Sequence, residues 1–448
     1  MSNYLFDEFQ GVTPAEWKQK IQVDLKGADY NETLLWKTRE GISVKPFYTK
    51  EDRNNSNVNT SNKGFAICQS IHIEDEEKAN LVAIDALQRG ASALKFIATK
   101  EFDYKKLLNE IAIQNTTCYF SFEFLSSEFI TELAHFINSE NCYFNIDIIG
   151  HLASSGNWYA NLKNDHTQLE EITKATENAI TVNASIYQNA GATIVQQLAY
   201  ALAHANEYLN HFGSAMAKNI HFNFSVGSNY FFEIAKLRAF RILWDALLKE
   251  YHTEATAHIF VQPSLRNKTL YDYNVNMLRT TSECMSAVLG GANTIANSAY
   301  DTIFHRPNEF GERIARNQLL ILQQESELAE AQNIADGAYY IETITQQLAQ
   351  KALEVFKLIE KGGGFLKQLK EGIIQQKIKE SADKEQQLFD TGELVLLGTN
   401  KIQNENDQMK NDIEVSPFLK SRNEKTLIQP IIQKRLAEKL EQERLQNE

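Results

Sequence analysis

Cysteine, proline and methionine are scarce in this chain of 448 residues, which has 4, 6 and 5 of them. The cysteines, Cys68, Cys118, Cys142 and Cys284, stand far apart with no C-x-x-C pair, which excludes a disulfide scaffold and a zinc ribbon. Three lie in apolar, strand-like runs and read as buried, reduced thiols of a cytoplasmic protein. Ten histidines are scattered without H-E-x-x-H or any comparable spacing, so no metal site is expected. No window approaches the roughly 18 uninterrupted apolar residues of a membrane span. The N-terminal MSNYLFDEFQ lacks the basic start and apolar run of a secretory signal. Positive charge is also short. A formal net charge of −13 and a pI near 5.4 leave no basic stripe for a nucleic-acid partner.

What is present is an ordinary globular composition, 43% hydrophobic and 23% charged. Thr13-Pro14-Ala15-Glu16 forms a capping box with proline at the first helical position, predicting a short helix through Trp17 and Ile21. Residues 34–52 read as extended and turn-rich, and 54–63, NNSNVNTSNK, as a polar loop. From Gly64 onward β-branched and aromatic runs predict strands at 65–71, 93–98, 118–124, 143–149, 180–186, 220–225, 257–261 and 292–296. Nearly every one is followed by helical periodicity. The clearest case is 229–251, where Leu237, Phe240, Trp244, Leu247 and Tyr251 make a stripe suited to packing on a sheet. Eight strand-helix units across about 260 residues match an α/β fold of the (β/α)8 TIM-barrel type. A doubly wound sheet is disfavoured, because no G-x-G-x-x-G follows a strand.

Beyond the eighth unit, helices are expected at 341–361 and 365–384. Gly362-Gly363-Gly364 between them reads as a helix C-cap, and Gly290-Gly291 likewise closes a helix. Residues 400–415 are polar and expected to be mobile. A terminal amphipathic helix is expected from Pro430, with Ile432, Leu436 and Leu440 on one face. The resulting organisation is an N-terminal helix and arm at 1–63 that contacts a partner, a barrel at 64–330, a helical extension packed on it at 331–399, and a linker with terminal helix at 400–448.

Several motifs occur together and in order. They are WKTREGISVKPFYTKED from Trp36, TVNASIYQNAGAT at 181–193, FNFSVGSNYFFEIAKLRAFRILW at 222–244 and RNKTLYDYNVNMLRTTSECMSAVLGGANTI at 266–295. NEFGERIARNQLLILQQES at 308–326, then ADGAYYIETITQQLA, KGGGFLKQLKEG and GTNK, complete the set. From about Trp36 to Lys401 the chain thereby resembles the barrel domain of the coenzyme-B12-dependent acyl-CoA mutases, the methylmalonyl-CoA mutases above all.

The departures from that family are as informative as the matches. Where its catalytic members carry a Tyr-His pair, this chain has Ser185 and Ile186. The histidine of the family's Gln-Ser-Leu-His-Thr-Asn stretch is Ala296 here. The family's R-P-W-T-I-R-Q-Y-A-G segment has no counterpart between Lys45 and Ile71. Its cobalamin-ligating D-x-H-x-x-G is absent too. His151 is the nearest look-alike, but Asp147 precedes it by four positions, and the sequence ends at Glu448 where a cobalamin domain would be expected. A hydroxyl and a hydrocarbon supply no acid–base chemistry. The resemblance thus implies no catalytic residues, no cofactor on this chain, and the role of the family's small, non-catalytic subunit. The partner it implies is a large catalytic subunit that carries adenosylcobalamin. Polar residues remain at the expected C-terminal mouth of the barrel: Gln188, Asn189, Arg266, Lys268 and Glu325. Arg266 and Lys268 are candidates for the phosphates of a CoA ester, or else for ion pairs with neighbouring loops. Two other readings stay open. One is the barrel of a split mutase whose B12 domain is a separate chain, and the other is a stand-alone CoA-ester-binding protein.

Overall fold

A computed structural model describes residues 8–53, 58, 60, 64–419 and 424–448. Eight parallel strands form its centre: β1 (Ala66–His72), β2 (Ala93–Ala98), β3 (Thr117–Phe122), β4 (Cys142–Asn145), β5 (Ile180–Asn183), β6 (Ile220–Val226), β7 (His258–Pro263) and β8 (Thr294–Ile295). Neighbours run β4-β3-β2-β1-β8-β7-β6-β5. A parallel bridge between Ile146 and Ile180 joins the two end strands and closes the ring. This is a (β/α)8 barrel, an α/β fold.

Alternation along each strand divides inside from outside. Outward positions such as Ile67, Ile71, Leu94, Phe96, Phe120, Phe144, Val182, Phe222, Phe224, Ile259 and Val261 belong to the main apolar core beneath the helices. The helices used below are α1 (Pro14–Asp24), α2 (Ser185–Asn189), α3 (Ile194–Phe212), α4 (Tyr230–Glu250), α5 (Val275–Leu289), α6 (Glu309–Leu320), α7 (Tyr339–Lys361), α8 (Ile373–Asp390) and α9 (Glu438–Gln446). The aromatic stripe of α4 is packing: Phe240 and Trp244 meet Phe222 with ring centres 4.5 and 5.0 Å apart. Helix α7 lies against α3 and α4. All four cysteines are buried free thiols. No helix among the described residues is long and apolar enough to cross a membrane.

Helix α1 begins at the expected capping box, with Thr13 accepting from the Glu16 N–H. None of its residues is buried. Most of the loop expected at 54–63 lies outside the described residues.

Four boundaries differ from expectation. Strands β4 and β5 stop at Asn145 and Asn183, so the apolar residues after them belong to helices: Ile148–Ser155, capped by Asp147, and α2. The helix expected at 365–384 is two, Phe365–Lys370 and α8, separated by Gly372 at φ +77°. The terminal helix starts at Glu438 instead of Pro430. Residues 400–415 are anchored, with Met409 buried and its N–H donated to the Glu448 carboxylate at 2.9 Å.

Candidate functional site

The C-terminal ends of the barrel strands are where this fold builds its sites, and here much of that mouth is covered by the chain itself. Residues 427–436 run as an extended strap across it. The Leu427 and Ile428 N–H groups donate to the Gly156 carbonyl at 3.0 and 3.1 Å, and Ile431 N–H donates to Ala153 O at 2.7 Å. Further along, Lys434 N–H donates to Asn189 O at 3.1 Å and Leu436 N–H to Arg266 O at 2.9 Å. The strap therefore ties the loops after β4, β5 and β7. A side chain at Gly156 would meet Thr426 at 2.7 Å, so the fit there is close. Beyond the strap, Arg435 and Glu441 form a buried pair at 2.6 Å, and Glu441 also accepts the Leu270 N–H at 2.7 Å. These contacts explain the late start of α9: the N–H groups of Ile431, Lys434 and Leu436 donate to the barrel loops and not to their own preceding turn.

Beneath the strap the residues singled out from sequence separate. Ser185 opens α2, and its hydroxyl donates to Asn183 Oδ1. Ile186, 2% exposed, faces the main apolar core instead of the lumen. Ala296 is inside the lumen, grouped with Cys68, Ala93, Tyr119 and Phe260. Gln188 donates to Glu233 Oε1 at 3.2 Å and accepts from Lys236 Nζ at 2.9 Å. It is thus one corner of a buried network that also takes in Gln197. Asn189 accepts from the Ser264 hydroxyl at 2.9 Å and the Leu265 N–H at 3.1 Å.

Arg266 is 8% exposed and committed, with Nε to Glu385 at 2.5 Å and a second nitrogen to Lys434 O at 2.7 Å. Lys268, 2% exposed, donates to Ser264 O at 2.8 Å, Asn267 Oδ1 at 2.7 Å and Glu283 at 2.8 Å. An ammonium has three protons, so none is left for a phosphate. Protein partners occupy the places where a CoA phosphate was expected. Glu325 does not reach the mouth. It is exposed at the far end of the α6 turn, where nearby Gln323 donates to the Phe65 carbonyl just before β1. The reason is geometric: α6 starts at the mouth and runs antiparallel to the strands, so its last turn ends below the barrel.

His151 lies flat on Tyr159, with ring centres 3.7 Å apart. Among the described residues no three His, Cys, Asp or Glu side chains are grouped to hold a metal ion.

Sequence reasoning passed over the lumen. TIM-barrel interiors are filled mostly by branched apolar side chains, yet the inward positions here are largely polar: Ser70, Lys95, Tyr119, Ser121, Tyr143, Asn145, Asn183, His221, Asn223, His258 and Gln262. The lower half is a filled network. Tyr119 donates to Thr294 at 2.7 Å, its hydroxyl lies 2.7 Å from His258 Nε2, and Tyr143 stacks on His258 at 4.2 Å. His221 Nε2 lies 2.7 Å from Asn145 Oδ1. Burial, helped by the Arg241 charge, lowers His258 to about 3. Burial first and then His258 press His221 well below its usual value. Burial lifts Cys68 and Tyr143 to about 12. These groups are neutral at pH 7. Polar residues two apart inside β-rich runs were the signal that would have found them.

The sequence profile of the methylmalonyl-CoA mutase family matches residues 126–446. The chain is 31% identical, over 89% of its length, to the methylmalonyl-CoA mutase small subunit of Porphyromonas gingivalis. Over 86% of its length it is 28% identical to the methylmalonyl-CoA mutase of Cereibacter sphaeroides, and over 53% it is 32% identical to the large subunit of Streptomyces virginiae. It spans 71%, 64% and 34% of these three proteins in turn. With its closed barrel, matched profile and matched relatives, the chain belongs to the methylmalonyl-CoA mutase family.

Proposed function

We propose that this chain is the small, non-catalytic subunit of an adenosylcobalamin-dependent methylmalonyl-CoA mutase, which interconverts methylmalonyl-CoA and succinyl-CoA. Its partner is a large subunit that holds the cofactor and performs the chemistry. The observation that carries this reading is the state of the mouth. Ser185 is bound to Asn183, Ile186 is sealed in the core, the Ala296 side chain has no polar atom, and the strap crosses the loops above them. Such a pocket gives a transition state nothing that the ground state lacks. The partner's side of the proposal is supported by the N-terminal arm, where Phe9, Val12, Trp17, Val23 and Trp36 are all more than half exposed. Large apolar side chains left exposed along one segment of the chain are what a contact with a second protein would bury.

Copurification from the native host tests this reading. A partner with its own barrel and a cobalamin-binding histidine motif is expected, and Ser185→Ala in this chain should leave kcat of the complex within about twofold, since a side chain remote from the reacting atoms carries little transition-state energy. Recovery of a lone cobalamin domain, active with this barrel, would replace the proposal with a split enzyme.

A further inference from the structure

Cations around the mouth are mostly spent on carboxylates, as Arg266 is on Glu385 and Lys268 on Glu283. Arg316, on α6, is not. It is 6% exposed and carries no ion pair among the described residues. Its one hydrogen bond there runs from Nη1 to Gln69 Oε1 at 2.9 Å, and its Nε is buried without a partner. Asp85, Glu309 and Glu312 act on it from beyond ion-pair reach, opposed by Arg89. A guanidinium stays charged at pH 7, so burying one without an anion is costly.

Arg316 lines a cavity of about 240 Å³ at the C-terminal ends of β1, β7 and β8, and Arg306 lines the same cavity. No residue of the strap takes part in it. Arg306 is exposed, and its guanidinium also has no partner among the described residues. The acidic groups of the wall are Asp301 and Glu312. Asp301 is paired with His305 at 3.0 Å and accepts from Asn308 at 2.8 Å. Two guanidiniums therefore face Glu312, which leaves one positive charge in excess. Ser70 and Gln262 reach the cavity from β1 and β7 with side chains that make no hydrogen bond among the described residues. Scaled from a cavity that holds benzene, this space takes about ten non-hydrogen atoms. We propose that it binds a small monocarboxylate, with the carboxylate on Arg316 and Arg306 and a hydroxyl or keto oxygen on Ser70 and Gln262. Planar guanidinium donors suit a carboxylate. A phosphate dianion fits worse, because Glu309 and Glu312 occupy the first turn of α6 and the Gly311 N–H there is already given to Asn308. The inference is independent of the subunit assignment, since it concerns binding and needs no acid–base group.

Thermal unfolding of the full chain in sodium lactate, against sodium chloride at equal ionic strength and pH 7, tests the site. Sodium phosphate serves as the third arm. Wild type should gain a saturable shift of about 2 °C in lactate over chloride, as a ligand that binds only the folded state requires. Each variant is compared with itself in chloride. Arg316→Gln should lose the shift, and Arg306→Ala, an exposed substitution, should at least halve it. The proposal is overturned if wild type shows no lactate shift, if Arg316→Gln keeps the full one, or if phosphate matches lactate. Should Arg316→Gln fail to fold, wild type and Arg306→Ala decide the matter, and a full shift in Arg306→Ala overturns the proposal.

Discussion

The two ends of this chain leave the barrel in opposite ways. The C-terminal strap and α9 are absorbed by it: Ile428, Ile431, Leu436 and Ala437 are buried, and the strap's N–H groups are spent on barrel loops. The N-terminal arm carries side chains of similar kind, yet α1 buries none of them. Apolar residues that cover a chain's own mouth contribute to its folding. The same residue types left in water contribute nothing until a second surface meets them. The difference teaches that one end of the sequence is spent on sealing the site while the other leaves its apolar side chains in water, as the proposed partner contact requires.

The largest effect is expected where the seal depends on a buried ion pair. Arg435→Ala strands Glu441, whose carboxyl burial already pushes up in pKa and which sits at 0% exposure. Breaking such a pair costs about 3–5 kcal/mol. Limited proteolysis should then cut within 424–448, and the thermal midpoint should fall. Arg435→Met with Glu441→Leu should recover most of the loss, because apolar replacements leave no charge unpaired. If Arg435→Ala leaves both readouts unchanged, the strap is not held in the way its contacts indicate.

Next in size is restoration of the family's pair. Ser185→Tyr with Ile186→His puts an imidazole where a core isoleucine packs. A loss of about 2–3 kcal/mol is expected from burying a polar group without a partner. No turnover should appear in the double variant by itself with adenosylcobalamin and methylmalonyl-CoA. Detectable product would contradict the reading of the mouth.

The uncovered end should behave in reverse. Trp17→Ala should move the midpoint of the isolated chain by under about 0.5 kcal/mol, as exposed substitutions do. Affinity for the large subunit should nonetheless fall at least about tenfold if Trp17 is an interface anchor. Equal affinities for variant and wild type would remove the arm from the interface.

Much of this contrast was legible in advance, and the exceptions have physical causes. Alternation of strands with amphipathic helices gave the barrel, and the box at Thr13 gave α1. The ends of β4 and β5 were missed because Ile148, Ile149 and Ile186 face the core from helices, and a short apolar run has no period of its own. In sequence the strap reads as helix because Ile432, Leu436 and Leu440 are spaced like one. Backbone donors claimed by residues 153–156, 189 and 266 overrode that propensity, and no local pattern encodes such distant partners. At the site, the lost Tyr-His pair was readable as sequence. That Arg266 and Lys268 were already taken by Glu385 and Glu283 was not, since those carboxylates come from α8 and α5.

The smallest predicted effect concerns the open side of the mouth. His305 lies 3.0 Å from Asp301 and 3.4 Å from Asp412, so it joins a barrel loop to the segment that precedes the strap. Partial burial works against its charge, but the two aspartates outweigh it and raise its pKa above the usual value. The folded state therefore binds the proton more tightly than the unfolded chain, whose histidine titrates near about 6.5. The stabilisation is complete below that pH and is lost as pH rises through the higher folded value. Because the ring is partly solvated, the effect should be small and should weaken in salt. Midpoints measured across this window should slope downward with pH in wild type, and His305→Asn should flatten the slope. An unchanged slope would mean that the tie between Asp301 and Asp412 does not help hold the C-terminal segment in place.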